Sequence, residues 1–270
     1  MNILIVSAHP EPASLTHALR DVAATQLRAD GHHVRHTDLY AEGWKSAVDG
    51  ADFQALHGGT HPRETPRLHV PAASGAAFAA GTLTDDVRAE QAKLLWADAL
   101  ILAFPLWWFS MPAILKGWID RVYSFGFAYG VGEHSDTRWG DRYGEGTLAG
   151  KRAMLLVTAG GWEAHYGPRG INGPMDDLLF PIHHGVLFYP GYAVLPPFVV
   201  YRADRLDDAA FDAAADALRT RMRGLFTTAP IAFRRQNGGD YLFPSMTLDP
   251  GIVSATGFAA HVRDPEPEAD

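Results

Sequence analysis

The sequence predicts an α/β fold in which one parallel sheet is covered by helices on both faces. Three observations carry this: short β-branched runs recur along the chain, helical periodicity fills the stretches between them, and apolar residues suffice for one large core. Hydrophobic residues make up 47% and charged residues 20% of the 270 positions, a balance that disordered chains do not reach. A chain of this length fits one α/β domain with appendages. Alternating strands and helices then force a parallel sheet, because right-handed crossovers lay each helix over it.

The elements follow in order. Residues Asn2 to Ser7 form a run apolar enough for a strand buried on both faces, and Pro10 and Pro12 send the chain into a loop. From Ser14, a helix N-cap, Leu15, Leu19, Val22 and Leu27 recur at helical spacing until Gly31. His33 to Leu39 is a weaker second strand. Residues 41–80 lack periodicity and read as an excursion of loops or short helices. Thr84 caps a helix to Ala97, with Asp85 and Asp86 at its positive end. Ala99 to Phe104 is the third strand, Met111 to Tyr123 an amphipathic helix, and Arg152 to Thr158 the fourth strand after a Gly-rich segment, Gly126 to Gly150. Asp176 to Val186 is expected to be helical, Phe188 to Val194 the fifth strand, and Phe211 to Leu225 the last helix. Residues 1–226 thus form the main domain and 227–270 a C-terminal extension, whose acidic end, Asp264 to Asp270, is expected to be mobile.

Charge and composition remove several functions. Twenty-three Lys and Arg against 31 Asp and Glu give a net charge of −8, the wrong sign for a nucleic-acid partner. The chain has no cysteine, so thiolate metal sites, disulfides and Cys nucleophiles are excluded. No apolar stretch approaches 18 residues and the run Ile3–Ala8 lacks a basic leader, so membrane insertion is not expected and a cytoplasmic protein is. His57 and His61 stand four apart, but Gly58 and Gly59 break a helix between them, and no metal site is expected. His183–His184, Asp120–Arg121 and Asp85–Asp86 read as structural, solvated or capping groups.

In an open parallel sheet, ligands bind beyond the carboxyl ends of the strands. Three loops there are unusual. The first, His9 to Thr16, ends at a helix N-terminus whose free N–H groups and hydroxyls suit a phosphate, although a plain Ser-capped helix explains it equally well. It has no glycine before Gly31 and so no dinucleotide fingerprint. The second, Pro105 to Ser110, sets Trp107, Trp108 and Phe109 where they either pack on the next helix or wall a planar ring; adjacent Trp107 and Trp108 cannot face one way, and one of them can be core. In the third, Thr158-Ala-Gly-Gly161, glycines let backbone N–H donors approach a ligand, or simply make a tight turn.

With these loops in order, the chain resembles the flavodoxin-like NAD(P)H:quinone oxidoreductases, the DT-diaphorase family and its bacterial relatives. The resemblance runs from Asn2 to about Phe198 and is strongest in Ile3–His9, in Phe104-Pro-Leu-Trp-Trp-Phe109 continuing to Trp118, and in Thr158–Gly161 with Tyr166. It implies a three-layer flavodoxin-like sandwich with strand order 2-1-3-4-5, a homodimer, and FAD in preference to FMN. His9, Ser14, Leu15 and Thr16 would hold the pyrophosphate side of the flavin. Pro105, Leu106, Trp107, Trp108 and Phe109 would line its ring. Thr158, Ala159, Gly160 and Gly161 would bind the pyrimidine edge, with Tyr166 near it. Tyr129 and Tyr189 match partner-subunit residues that cover the substrate pocket beside Trp108 and Phe109.

Two departures stand out. Asn172 replaces a family histidine that helps compensate charge on the reduced flavin, and Asn cannot take up a proton near neutrality. Compensation then rests on Tyr166, on backbone donors such as Gly161, and on the hydrogen-bonding of Asn172. Val131 replaces a second pocket tyrosine. The resulting expectation is a ping-pong enzyme that takes hydride from NADH or NADPH and passes it to a quinone or similar aromatic acceptor. Two alternatives share the fold: a single-electron carrier of the flavodoxin type, and a regulatory flavoprotein subunit of a membrane transporter.

Overall fold

The computed structural model describes residues 1–56 and 67–263. His57, His61 and the acidic segment 264–270 lie outside them. The sheet is built from β1 (Asn2–Ser7), β2 (His33–Asp38), β3 (Ala99–Pro105), β4 (Arg152–Thr158), β5 (Ala193–Val194) and β6 (Phe198–Val200). All pair in parallel in the order β2-β1-β3-β4, and β5 and β6 share the far edge of β4. The expected order 2-1-3-4-5 is therefore met, with the fifth position occupied by two short pieces.

Side chains alternate between two faces along each strand, as the period of two demands. Ile3, Ile5, Ile101, Met154 and Leu156 pack beneath α1 (Leu15–Ala29) and the last helix, Asp208–Arg223. Leu4, Val6, Leu100, Phe104, Leu155 and Val157 face α3 (Asp85–Trp96), α4 (Ala113–Val122) and α5 (Met175–Phe180). This gives the three layers. In α1 the Ser14 hydroxyl accepts from the His17 amide at 3.3 Å, and Gly31, at φ 81°, supplies the left-handed turn that ends the helix.

Several expectations need correction. Phe188 to Tyr192 is not strand: α5 runs on without a break as a π-helical segment, Pro181–Phe188, and extended pairing begins only at Ala193. Pro196 and Pro197 have no N–H to donate, so the edge is interrupted there and resumes at Phe198. The unreadable region contains α2 (Val70–Ala80), an Ala-rich helix that buries Ala73 and Ala77 and so carries no amphipathic stripe. Thr84 precedes α3 but makes no capping bond; its hydroxyl accepts from Arg121 instead. Arg121 is not a solvated charge. It is buried and bridges Asp52 at 2.9 Å and Asp86 at 2.7 Å.

The extension is packed, not loose, over residues 227–263. Its Phe233 joins the main core, and the Ile231 amide donates to the Val194 carbonyl at 2.7 Å. Among the described residues no helix is long and apolar enough to cross a membrane.

Candidate functional site

The carboxyl ends of β1, β3 and β4 open into one crevice of about 400 Å³, walled by His9, Ser14, Thr16, Trp107, Thr158 and Gly160 among others. Residues from all three sequence-predicted loops are thus neighbours. They meet through a direct contact, since the Thr16 and Thr158 hydroxyls lie 2.8 Å apart although 142 positions separate them. The Leu106 amide donates to the Thr158 carbonyl at 2.8 Å, which ties the second loop to the third.

The first loop folds on itself. Glu11 anchors it: the carbonyl accepts from the Ser14 amide at 3.1 Å and the carboxylate from the Ala13 amide at 2.9 Å. The Glu11 amide donates to His9 Nδ1 at 3.0 Å, so the neutral ring carries its proton on Nε2. Burial pushes the His9 pKa down, and the ring is neutral at pH 7. First-turn amides of α1, those of Leu15 and Thr16, have no intrahelical partner and face the same crevice as the Ser14 side chain.

In the second loop, Trp107 and Ser110 exchange two backbone hydrogen bonds of 3.0 Å, closing a tight turn. Trp108 at φ 49° and Phe109 at φ 63° occupy the left-handed region, which bulky residues avoid. That strain holds the aromatic row outward. Trp108 is 93% exposed, and Trp107 and Phe109 are also exposed, so neither tryptophan belongs to the core. Trp107 turns toward His9, with ring centroids 6.0 Å apart.

At the third loop a methyl group on Gly161 would lie 2.9 Å from the Tyr166 ring, and one on Gly160 would lie 3.1 Å from an Asp204 carboxylate oxygen. Bare backbone is what leaves this rim open. Tyr166 stacks at a tilt against Tyr201, 5.6 Å away, and the Tyr201 hydroxyl is held above its ordinary pKa by burial and then by nearby Glu163 and Asp176. Asn172 is half-buried, and its amide donates to the His165 carbonyl at 3.0 Å in the same loop.

A family profile described as flavodoxin-like fold matches residues 1–222. The chain belongs to this flavodoxin-like family. The ribosyldihydronicotinamide dehydrogenase-like protein of Penicillium crustosum is 56% identical over 265 residues, covering 97% of this chain and 96% of that one. Rat NAD(P)H dehydrogenase (quinone) 1 is 33% identical over 230 residues, 85% of this chain and 79% of its own. A solved Klebsiella pneumoniae structure, described as a candidate quinone reductase, superposes with a TM-score of 0.92 at 57% identity, covering 97% of this chain and all of that one. The flavodoxin-like resemblance drawn from the three loops is met.

Of the predicted residues, Trp108, Phe109, Ala159, Gly161, Tyr166 and Asn172 belong to these loops or the segment after them without lining the crevice, and Tyr129 and Tyr189 lie on other elements. Tyr129 packs edge-on against Phe125 at 5.4 Å, and Tyr189 against Tyr143 at 4.9 Å; neither lines the crevice within one chain. One segment was missed. Ala203 and Asp204 also line it, in a turn fixed by the Ala203 amide donating to Ala159 and the Arg202 amide to Gly161, each at 3.0 Å. The signal was available, for this turn follows a strand end; placing the fifth strand at 188–194 instead of ending it at Val200 hid it. No group of three or more His, Asp or Glu among the described residues is placed to hold a metal.

Proposed function

We propose that the chain is a flavin-dependent NAD(P)H:quinone oxidoreductase working by a ping-pong order. The observation that carries this reading is the Thr16–Thr158 contact, which draws a helix N-terminus, an outward aromatic row and a glycine-edged rim to one crevice. Bound flavin supplies the chemistry of accepting and returning two electrons as hydride. The residues present fit such a group: a cradle that a Cβ at Gly160 or Gly161 would narrow, first-turn amides, and no core side chain plugging the opening.

His9, Ser14, Leu15 and Thr16 bind the phosphate side, where unpaired N–H groups and the helix dipole favour an anion. Pro105, Leu106, Trp107, Trp108 and Phe109 hold the ring by backbone groups and aromatic contact. Thr158, Ala159, Gly160 and Gly161 would present their backbone to the pyrimidine edge of a bound flavin, and the Tyr166 hydroxyl beside Gly161 would offer it a hydrogen-bond donor. With Asn172 in place of a titratable group, charge on a reduced flavin would be met by fixed donors and not by a mobile proton. FAD is preferred to FMN, and one open aromatic wall receives donor and acceptor in turn, which is the structural condition for ping-pong order. Trp108 in that wall and Ile171 are both strongly exposed, which favours a homodimer in which a second copy covers the wall and brings Tyr129 and Tyr189 to the acceptor.

Heat release of the bound cofactor followed by chromatography is expected to yield FAD. Stopped-flow with NADH, NADPH and N-ribosyldihydronicotinamide, each with menadione as acceptor, is expected to give parallel double-reciprocal lines with at least one donor. Protein that remains colourless after reconstitution, or that reduces menadione with none of the three, sinks the reading.

A further inference from the structure

A second cleft, of about 280 Å³, lies between the Gly-rich segment Gly126–Gly150 and the C-terminal extension. It shares no lining residue with the crevice. Its walls are aromatic, from Trp139, Tyr143, Tyr241 and His184, and its floor is polar, from Arg142 and Gln236. Among the described residues no carboxylate lines it, and none pairs with Arg142; that guanidinium spends only Nε, on the Gln236 side-chain oxygen, and passes Tyr189 at 6.0 Å. Asp141 and Glu145, close to Arg142 in sequence, both pair with Arg138 at 2.6 Å. Arg142, half-buried, therefore brings a guanidinium whose terminal nitrogens make no bond among the described residues to a largely aromatic lining, where an anion can meet them.

The other polar groups are arranged to leave that charge alone. Tyr241 and His261 satisfy each other at 2.8 Å, and His184 is sandwiched between Phe180 at 4.8 Å and Tyr143 at 4.7 Å with its Nε2 unpartnered. Burial holds the His184 pKa down at about 4 and lowers that of His261, so both are neutral at pH 7. Backbone strain repeats here. Of five non-glycine residues with positive φ among those described, Trp108, Phe109 and Arg202 lie in the turns that carry the crevice-lining Trp107 and Ala203, while Tyr143 and Met246, both at φ 53°, line this cleft. Such strain persists only where the surrounding structure enforces it, and it gathers at ligand sites.

We propose that this cleft is a second ligand site, for a small planar aromatic acid whose anionic group pairs with Arg142 while its ring rests on Trp139 and Tyr143. Its volume, about 280 Å³, falls just below the roughly 300–1,000 Å³ of small-ligand clefts and suits one or two fused rings. The cleft shares no lining residue with the crevice, but Tyr143 packs on Tyr189 at 4.9 Å, so competition with the acceptor decides whether the two are separate.

The test is calorimetric titration of the full chain, as purified, with 1-naphthoate and its neutral isostere 1-naphthamide. Naphthoate is expected to bind about tenfold tighter or better, the worth of one desolvated charge-assisted pair. Arg142→Gln is expected to bring the two affinities together, Arg142→Lys to restore part of the preference, and flavin content to stay unchanged in both. Should Arg142→Gln fail to fold, Trp139→Leu serves: it is expected to weaken both ligands by a similar factor and keep the preference for the acid. Equal binding of acid and amide, a preference that survives Arg142→Gln, or naphthoate binding abolished by saturating menadione would each overturn the proposal.

Discussion

Two polar regions of this molecule use the same residue types to opposite ends. Under α3 and α4, charges are buried and saturated. Asp52 accepts from Arg121, from Lys45 at 3.0 Å and from the Asp49 amide at 2.9 Å, while Arg121 also donates to the Lys45 carbonyl at 3.2 Å. Buried Glu90 accepts from the Thr37 hydroxyl at 3.1 Å, Lys93 at 2.5 Å and Trp118 Nε1 at 2.9 Å. At the crevice the reverse holds, for the first-turn amides of Leu15 and Thr16 and the His9 Nε2 proton have no partner among the described residues. Saturation marks a polar group that holds the fold; unspent valence beside open space marks one that waits for a ligand.

That contrast is broken most severely at Arg121. Arg121→Met leaves buried Asp52 with only the half-exposed Lys45 as a cation, and urea denaturation is expected to show a loss of about 3–5 kcal/mol with flavin binding per folded molecule unchanged. A smaller loss than 1 kcal/mol would mean that Lys45 alone suffices. Next comes acid. His183 is buried with its pKa lowered to about 4, so between the unfolded value of 6.5 and about 4 the unfolded chain binds a proton that the folded chain refuses. The contribution of His183 is therefore complete above pH 6.5, falls as pH drops through that window by up to about 3 kcal/mol, and levels below it, beside those of His36 and His184, whose pKa values burial also lowers to about 4. Denaturation midpoints at pH 7 and pH 4.5, compared with His183→Phe, check the assignment, since the variant loses this part of the slope.

Trp118→Phe keeps most of the ring packing but removes one donor from buried Glu90, for an expected loss of about 1.5–3 kcal/mol. The smallest effect on folding is expected at the crevice. Thr16→Val removes the hydroxyl that meets Thr158 and should cost about 1 kcal/mol or less in stability, while flavin affinity, followed by fluorescence titration, falls about tenfold. An unchanged affinity would detach the Thr16–Thr158 contact from ligand binding and weaken the contrast itself.

The sheet and its two faces were legible because strands buried on both sides read as continuous apolar runs, and Leu4 and Ile5 each announce burial without naming a face. The three loops were legible by their place at the ends of such runs and, taken together, by the family resemblance, since each alone also admitted a capping, packing or turn explanation. What escaped was long-range or uniform. Arg121 finds Asp52 sixty-nine positions away, a pairing that no local pattern encodes. Helix α2 hides in Ala and Gly, which pack without a stripe. The fifth strand was displaced because Phe188–Val194 is apolar enough for either helix or strand, and only the interruption at Pro196–Pro197, seen with its partner strand, fixes where pairing starts. Asp204 was lost with it.

That same interruption bears on how the chain avoids its own kind. A row of free main-chain groups at the margin of a sheet is a template for any passing extended segment. Here two prolines remove donors from the margin, and Ile231 occupies the Val194 carbonyl from the outside. The extension thus serves as a guard rail: a chain cut before Ile231 would offer its unprotected flank to neighbouring molecules and gather into aggregates at concentrations the intact chain tolerates.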